Sequence, residues 1–438
     1  MRRWALFLVL SAVLGAACTG GGGGNTNAAA GGCTGATSGG PVAVKAWFHS
    51  GQGSERTTIE SQVAAFNSSQ SNVKVQLVLL PEGNYNDQVK AAAASGGLPD
   101  ILDFDGPFLY NYAWNRNLVS LDNCISSSLK TNLLPSIVKQ GTYANHMYGV
   151  GTFDSGLGLY SRKSVLTKNG IRVPAGPQDA WSADEFTQAL KTLQSAGFAK
   201  PLDLKLNYGQ GEWYTYGFSP IIQSAGANLI SRKDFQSSAG VLNSSAAVKS
   251  LTVFQSWFKG GLVNFNVDDT AFLKGQAAVS WVGHWAYADY KKAFGDDLVI
   301  LPLPNFGAGS KTGMGSWQWG ITSNTKRVDA AWAFISYLLK DPQVVAITTA
   351  NGAVPATKSA SQAEPQYAPG GPEYIFVQQL QSTAVPRPQT PAYPTITLSF
   401  AKVINDIING GDVKSSLDKA VQAIDTDIKD NDGYRVKA

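Results

Sequence analysis

The stretch between residues 42 and 105 alternates between two kinds of pattern, and this alternation constrains the fold more than any other feature of the sequence. Residues 42–48 form an apolar run typical of a strand, and residues 73–79 place apolar side chains at alternate positions. Residues 99–104 (PDILDF) supply a third such run. Helical patterns separate the three runs. The order β-α-β-α-β predicts an open parallel sheet with helices on its faces.

The predicted helices carry recognisable start and stop signals. The first begins at a capping box, Thr57-x-x-Glu60, and the second, residues 86–95, is ended by Gly96-Gly97. Later in the chain, a capping box at Ser182-x-x-Glu185 opens another helix, and further helical patterns cover the segments 246–258, 329–339 and 400–408. With 438 residues, the chain is long enough for two α/β lobes.

Acidic residues and glycines follow two of the predicted strands. The first strand runs into FHSGQGSE, which contains Glu55, and the third runs into DFDGP, which contains Asp103 and Asp105. In open α/β sheets, ligands bind outside the carboxyl ends of the strands. These three carboxylates are therefore candidate ligand-binding residues. The alternative for the two aspartates is that each caps the segment that follows it.

The N-terminus predicts export. MRRWALFLVLSAVLGAAC has two arginines, a short apolar core and small residues that end at a cysteine. Residues 1–18 are thus predicted to be a lipoprotein signal with lipidation at Cys18, and simple secretion is the alternative. Residues 19–40 are Gly-rich and predicted to be a flexible tether. A Cys33–Cys124 disulfide is conceivable, but a partner in a flexible tether argues against it, so no disulfide framework is predicted.

Charge and motif content exclude several classes of function. The formal net charge is +4, from 35 basic and 31 acidic residues, and no Lys/Arg-rich cluster follows the leader, so no nucleic-acid partner is predicted. GxSxG and HExxH motifs are absent, and no Cys-rich or His-rich spacing predicts a metal site. A glycosidase remains an alternative, with Asp103, Asp105 or Glu212 as its carboxylates.

Four features together resemble the family 1 extracellular solute-binding proteins, which are the carbohydrate receptors of bacterial ABC importers. They are the lipoprotein leader with its tether, FLKGQAAVSWVGHWAYADY (residues 272–290), LPLPNFGAGSKTGMGSWQWGIT (residues 301–322) and RPQTPAYP (residues 387–394). The last segment is similar to the Arg-Pro-x-x-Pro-x-Tyr segment of the maltose- and trehalose-type receptors. The resemblance extends over almost the whole chain after the tether.

The resemblance implies a two-lobed periplasmic-binding-protein fold of type II, in which each lobe is an open α/β sheet flanked by helices and a crossed-over hinge joins them. The N-terminal lobe would comprise residues 41–154 plus 316–353, and the C-terminal lobe residues 155–315 plus 354–438.

The family binds its ligand in the interlobe cleft and performs no chemistry on it. The chain is therefore expected to be a monomeric, lipid-anchored, extracytoplasmic receptor that needs no cofactor or metal. It would deliver a di- or oligosaccharide, such as an α-glucoside, to the transmembrane permease subunits of an ABC importer. The alternatives are a secreted carbohydrate-active hydrolase and a receptor for a non-sugar solute.

A sugar cleft needs aromatic faces for C–H patches and polar side chains for hydroxyls. Trp285, Trp317 and Trp319 are candidate platforms, because each follows a glycine turn or ends a strand. Trp281 is predicted to be strand core instead. Trp257 and Trp332 lie at helical spacing among apolar residues, so they are predicted to be core as well.

Four further residues complete the predicted site. YGQGEWYTYGF (residues 208–218) places Glu212 and Trp213 among glycines and tyrosines, a mixture that favours ligand contact over core packing. Asp154 lies at the predicted first crossover, where it could serve either the ligand or the hinge. Arg387 could donate charge-assisted hydrogen bonds to sugar hydroxyls or form a structural salt bridge.

Overall fold

The computed structural model describes residues 33, 41–51, 53–265 and 268–436. The predicted signal at residues 1–18, the lipidation at Cys18 and all of the predicted tether except Cys33 lie outside the described residues. Within the part of the chain that is described, no helix is both long enough and apolar enough to cross a membrane.

The strands are numbered in chain order. They are β1 Val42–His49, β2 Val73–Leu80, β3 Ile101–Asp105, β4 Thr142–Tyr143, β5 His146–Met147, β6 Phe153–Asp154, β7 Leu157–Arg162, β8 Leu202–Asp203, β9 Val263–Asn264, β10 Val279–Gly283, β11 Leu298–Leu301, β12 Thr312–Met314, β13 Trp317–Ile321, β14 Val354–Pro355 and β15 Ala384–Pro386.

The α-helices are numbered in the same way. They are α1 Gly53–Ser69, α2 Tyr85–Ser95, α3 Leu109–Trp114, α4 Ser127–Asn132, α5 Pro135–Gln140, α6 Lys163–Lys168, α7 Ala183–Ser195, α8 Glu212–Ser224, α9 Ser245–Lys259, α10 Tyr287–Phe294, α11 Val328–Leu338, α12 Asp341–Asn351, α13 Lys358–Ala363, α14 Tyr374–Ser382, α15 Tyr393–Ile408 and α16 Val413–Asp430.

Two larger sheets organise the fold. The first has the order β13-β3-β1-β2, in which β1 pairs in parallel with β2 and with β3. This sheet confirms the predicted β-α-β-α-β unit, to which β13 adds as an antiparallel edge. The second has the order β11-β7-β10-β8-β9. Each sheet packs against its own helices, which gives a mixed α/β protein with two lobes.

The predicted helix signals agree with the structure at one capping box and disagree at another. The box at Ser182 is formed, because its side chain accepts from the backbone of Glu185 while the Glu185 side chain accepts from the backbone of Ser182. The prediction that a helix begins at a capping box at Thr57 is wrong. Helix α1 already begins at Gly53, and the Thr57 hydroxyl donates to the Gly53 carbonyl one turn earlier, at 3.1 Å.

The tryptophans predicted to be core are buried. Trp257 and Trp281 pack in the apolar cluster under the second sheet, and Trp332 packs in the cluster under the first. Their accessible fractions are 0 %, 1 % and 5 %. Burial of such large aromatic side chains contributes strongly to both cores.

A disulfide joins Cys33 to Cys124, the pairing against which the predicted flexible tether had argued. The prediction failed because it treated Cys33 only as part of a low-complexity tether. In the structure, Cys33 packs against the apolar cluster of the first sheet, and Cys124 lies buried in that same cluster. The bond closes a loop with a sequence separation of 91 residues.

Cys124→Ser is expected to lower the free energy of unfolding by about 2–4 kcal/mol, because the bond restricts a long loop in the unfolded chain. Denaturant unfolding under non-reducing conditions measures this change. Cys33→Ser should have the same effect, and the double variant should lose nothing further. Unchanged stability in both single variants would contradict a stabilising disulfide.

Candidate ligand-binding site

A cavity of about 960 Å³ lies where the carboxyl ends of β1 and β3 meet the start of α8 and the turn after β10. This volume is near the upper end of the range for small-molecule sites, roughly 300–1,000 Å³. The strand ends supply His49 and Asp105 to the wall, as the position of ligand sites in open α/β sheets predicts.

His49 forms the centre of a buried charge cluster at the end of β1. Its Nδ1–H donates to the Asp103 carboxylate, and its Nε2 lies 3.6 Å from Glu55 and 3.8 Å from Glu82. Burial alone would lower the pKa of His49, but Asp103 and Glu55 outweigh it and raise the pKa to about 10. His49 is therefore an imidazolium at neutral pH.

This raised pKa predicts a pH-dependent stability. His49 titrates at 6.5 in the unfolded chain and at about 10 in the fold, so its contribution is complete below pH 6.5 and is lost as the pH rises to about 10. The melting temperature of the parent protein should therefore exceed that of His49→Gln most at pH 6 and least at pH 10.

Thermal unfolding at several pH values measures this difference between the two proteins. His146→Gln is the control, because His146 also bonds an aspartate, Asp122, but is solvent-exposed. A constant difference between His49→Gln and the parent protein across this pH range would contradict the assigned charge.

Trp317 stacks directly on His49. The two ring centroids are 3.6 Å apart and the planes are inclined by only 6°. Tyr85 supports the same indole edge-on, with centroids 5.5 Å apart. Trp317 also lines the cavity, so an aromatic face fixed by a buried cation is available to a ligand there.

Arg387 lies just after β15 and joins two carboxylates that are distant in the sequence. Its guanidinium donates to both oxygens of Asp105, at 2.6 and 2.5 Å, and to Glu212 at 2.7 Å. Its charge lies 4.8 Å from the centre of the Tyr216 ring. Burial would lower the pKa of Arg387, but Asp105 and Glu212 raise it well above its usual value.

Glu212, the first residue of α8, has two further donors on α15. The Tyr393 hydroxyl donates to one of its oxygens and the Thr397 hydroxyl to the other. Burial raises the pKa of Glu212, while Arg387 opposes that shift. The arginine and the tyrosine of the RPQTPAYP segment thus both bind Glu212. Because these partners are fixed, the remaining lone pairs of the two carboxylates can accept hydrogen bonds from ligand hydroxyls.

Trp285 belongs to an aromatic group that also lines the cavity. Its indole N–H donates to the Tyr208 hydroxyl at 3.2 Å, and its ring lies 5.9 Å from Trp213 and 6.3 Å from Tyr216. Gly283 leaves room for the indole, since a β-carbon at that position would collide with the ring. The Gly-x-Trp spacing therefore has a packing reason.

His284 does not have the surroundings of a catalytic base. Burial lowers its pKa to about 4, so the ring is neutral, and Nδ1–H donates to the Asn351 carbonyl at 2.6 Å. The Asn351 side chain in turn donates to Glu55 at 3.1 Å. His284 thus helps to position Glu55, which lines the cavity.

A model of the family described as bacterial extracellular solute-binding protein matches residues 61–370, which is more than half of the chain. The chain belongs to this family. Its fold agrees with that assignment, because the cyclic alpha-maltosyl-1,6-maltose binding protein from Arthrobacter globiformis superposes with a TM-score of 0.70 at 24 % identity. That superposition covers 89 % of this solute-binding protein and 100 % of the other chain.

Two relatives align over part of the sequence. The maltotriose-binding protein of Pyrococcus abyssi (strain GE5 / Orsay) is 21 % identical over 287 residues, or 62 % of this chain. An "uncharacterized lipoprotein in oleD 5' region" of Streptomyces antibioticus is 24 % identical over 167 residues, or 38 % of this chain. The solute-binding protein spans 57 % and 37 % of the lengths of these two curated relatives.

Most of the predicted site residues lie together on the cavity wall of this solute-binding protein. They are Glu55, Asp105, Glu212, Trp213, Trp285, Trp317 and Arg387. Trp213 also packs in the core, where its indole N–H donates to the Leu204 carbonyl at 3.1 Å.

The structure does not bring Asp103, Asp154 or Trp319 to this wall. Asp103 is buried behind it, bound to His49. Asp154 is fully buried and accepts from the Gln140 side chain at 3.1 Å, next to the pairing of β6 with β14. Trp319 packs against Phe48 inside the apolar cluster under the first sheet. Direct ligand contact by these three has no support from the geometry.

His49 and Tyr216 are two of the wall residues that the sequence reasoning missed. Both lie in segments that it had singled out, FHSGQGSE and YGQGEWYTYGF, so their position was a usable signal. Among the residues that the structure describes, no group of three or more His, Cys, Asp or Glu side chains is arranged to hold a metal ion.

Proposed function

We propose that this protein binds a neutral sugar of the α-glucan type in the cavity and delivers it to an ABC permease. The main support is that two fixed aromatic faces, Trp317 and Trp285, line the same cavity as the Asp105–Arg387–Glu212 ion group. Sugars offer hydroxyls to charged acceptors and C–H patches to aromatic rings, so this mixture suits them.

The comparisons support the choice of sugar. Two of the similar proteins are named for the maltotriose and the cyclic maltosyl-maltose that they bind. The RPQTPAYP segment of this chain supplies Arg387 and Tyr393, both of which contact Glu212 in the cavity. An α-linked glucose oligosaccharide is therefore the first ligand class to test.

The proposed lobes are residues 41–154 plus 316–353 and residues 155–315 plus 354–438. Strand pairing supports this division, since β13 joins the sheet of β1 and β3 although it follows the whole of the second sheet in the chain. Hinge closure around the sugar would then be the signal read by the permease. A lipid anchor at Cys18 and a monomeric state complete the proposal, and similarity to a lipoprotein supports the anchor.

Binding without hydrolysis is part of the proposal. A glycosidase needs one protonated carboxyl as its acid and a second carboxylate across the scissile bond. Asp105 and Glu212 instead accept from the same guanidinium nitrogen, at 2.6 and 2.7 Å, so one buried cation joins the two carboxylates. This pairing favours a hydrogen-bonding role over acid catalysis.

A thermal-shift panel tests the ligand class. Neutral disaccharides and gluco-oligosaccharides should raise the melting temperature, because ligand at 100 times its Kd adds about 2.7 kcal/mol of stability. Amino acids, short peptides and divalent cations should leave it unchanged. Stabilisation by one of those solutes, with no response to any sugar, would favour the non-sugar receptor instead.

A further inference from the structure

The cavity does not end at the Asp105–Arg387–Glu212 group but continues away from it along α15. Its wall includes Pro394, Leu398 and Ala401, which are spaced four and three residues apart and therefore share one face of that helix. At 1.5 Å per residue, this face extends the cavity by about 10 Å. We call this extension the distal arm.

Two amide side chains also line the cavity near α15. They are Asn111 on α3 and Asn115 directly after it, spaced four residues apart. The Asn111 amide donates to the Pro391 carbonyl at 2.8 Å, which ties α3 to the segment that leads into α15. Asn115 is exposed, and its amide N–H groups donate to the backbone and side-chain oxygens of Asn111 at 3.0 and 3.1 Å. Its own Oδ1 can therefore accept from a ligand hydroxyl.

Leu398 is the unusual residue of the distal arm. It is 73 % exposed, and only Phe265 and Val436 are comparably exposed large apolar residues in the described part of the chain. Of these three, Leu398 alone lies on the cavity wall. An apolar side chain presented to a cavity suits the C–H face of a ring better than it suits water.

An aromatic contact lies beside the cavity at the end of α3. The Trp114 indole N–H donates to the Arg435 carbonyl at 2.9 Å, and its ring meets the Tyr434 ring edge-on at 5.0 Å. Tyr434 also lines the cavity. Apolar, amide and aromatic side chains thus all line this part of the cavity.

We propose that the distal arm is a further subsite, which binds the additional sugar rings of an oligosaccharide longer than a disaccharide. The first rings lie against Trp317, Trp285 and the carboxylates, and the additional rings pack on Leu398 and hydrogen-bond to Asn115. This inference rests on the proposed function and specifies the length of the oligosaccharide that the same cavity selects.

Titration calorimetry with maltose, maltotriose and maltotetraose tests the distal arm. The parent protein should bind maltotetraose at least about tenfold more tightly than maltose, a difference of about 1.4 kcal/mol. Leu398→Ser and Asn115→Ala should each reduce this ratio of affinities by about fivefold or more. Phe265→Ser removes a comparably exposed apolar side chain away from the cavity wall and should leave the ratio unchanged.

Two failures can be told apart. If maltose binds as tightly as maltotetraose, or if Leu398→Ser weakens both equally, the distal subsite is wrong while sugar binding stands. If none of the three sugars binds, the α-glucan assignment fails and the subsite fails with it. Melting temperatures of the variants within a few degrees of the parent value establish that each one is folded.

Discussion

Arg387→Ala is expected to lower the free energy of unfolding by about 3–5 kcal/mol, because it leaves two buried carboxylates without their cation. The side chains of Arg387, Asp105 and Glu212 are only 4 %, 10 % and 18 % exposed. Without the guanidinium, these carboxylates must either pay for desolvation or take up protons. Denaturant unfolding followed by tryptophan fluorescence measures the loss. Sugar affinity should fall as well, since both acceptors lose their positions.

Arg172→Ala is the matched control for this experiment. Arg172 also bonds two carboxylates, Asp179 at 3.0 Å and Glu185 at 3.1 Å, but all three side chains are at least 40 % exposed. Exposed pairs of this kind contribute about 0–1 kcal/mol. The loss of stability in Arg387→Lys should lie between those of Arg387→Ala and Arg172→Ala, because an ammonium keeps the charge without the planar fork of the guanidinium. Equal losses at Arg387 and Arg172 would refute the central role of the buried ion group.

Trp285→Ala is expected to weaken sugar binding by about 2 kcal/mol or more, which is roughly 30-fold in Kd. The indole is held by Tyr208 and packs beside Trp213 and Tyr216, so its position is fixed before the ligand arrives. Removal of a preorganised aromatic face loses both contact area and stacking. The fold should persist, since Trp285 is only partly buried.

Calorimetry on Trp285→Ala and Trp285→Phe measures this loss. The phenylalanine variant should recover part of the affinity, because it retains an aromatic face but lacks the N–H that donates to Tyr208. Phe265→Ala, at an exposed aromatic residue away from the cavity wall, should bind sugar as the parent protein does. Unchanged affinity in Trp285→Ala would remove this residue from the site.

Local patterns predicted the elements of the fold well. Alternating apolar residues placed β2 correctly, and α2 ends at Gly96 as predicted, where the structure shows a positive φ of 69°. The Thr57 capping box failed, although it fits the same rule as the one at Ser182. Sequence alone could not show which of the two boxes starts a helix. Helix α1 begins at Gly53, so Thr57 lies inside it rather than at its start.

Long-range partners could not be predicted in the same way. Arg387 and Asp105 are separated by 282 positions in the sequence, so the sequence left a salt bridge and a ligand contact equally open for the arginine. The structure gives Arg387 two carboxylate partners and still places it on the cavity wall. The Cys33–Cys124 bond was missed for a similar reason, since only tertiary packing brings Cys33 to the first core.

Trp317 and Trp319 show that two residues on the same face of a strand can have different surroundings, which the alternation of a strand does not predict. Both lie on β13, two positions apart, and both were predicted to be platforms. Trp317 stacks on His49 at the cavity, whereas Trp319 packs against Phe48 and Phe334 in the core. The sequence cannot reveal that His49 occupies the space beside one indole and core residues surround the other.

Titration calorimetry with maltotriose, followed by chromatography of the recovered sugar, distinguishes a sugar receptor from a glycosidase. We expect saturable binding at one site and intact maltotriose after prolonged incubation. Failure to bind any sugar of a broad panel, together with hydrolysis of a chromogenic α-glucoside, would contradict this expectation.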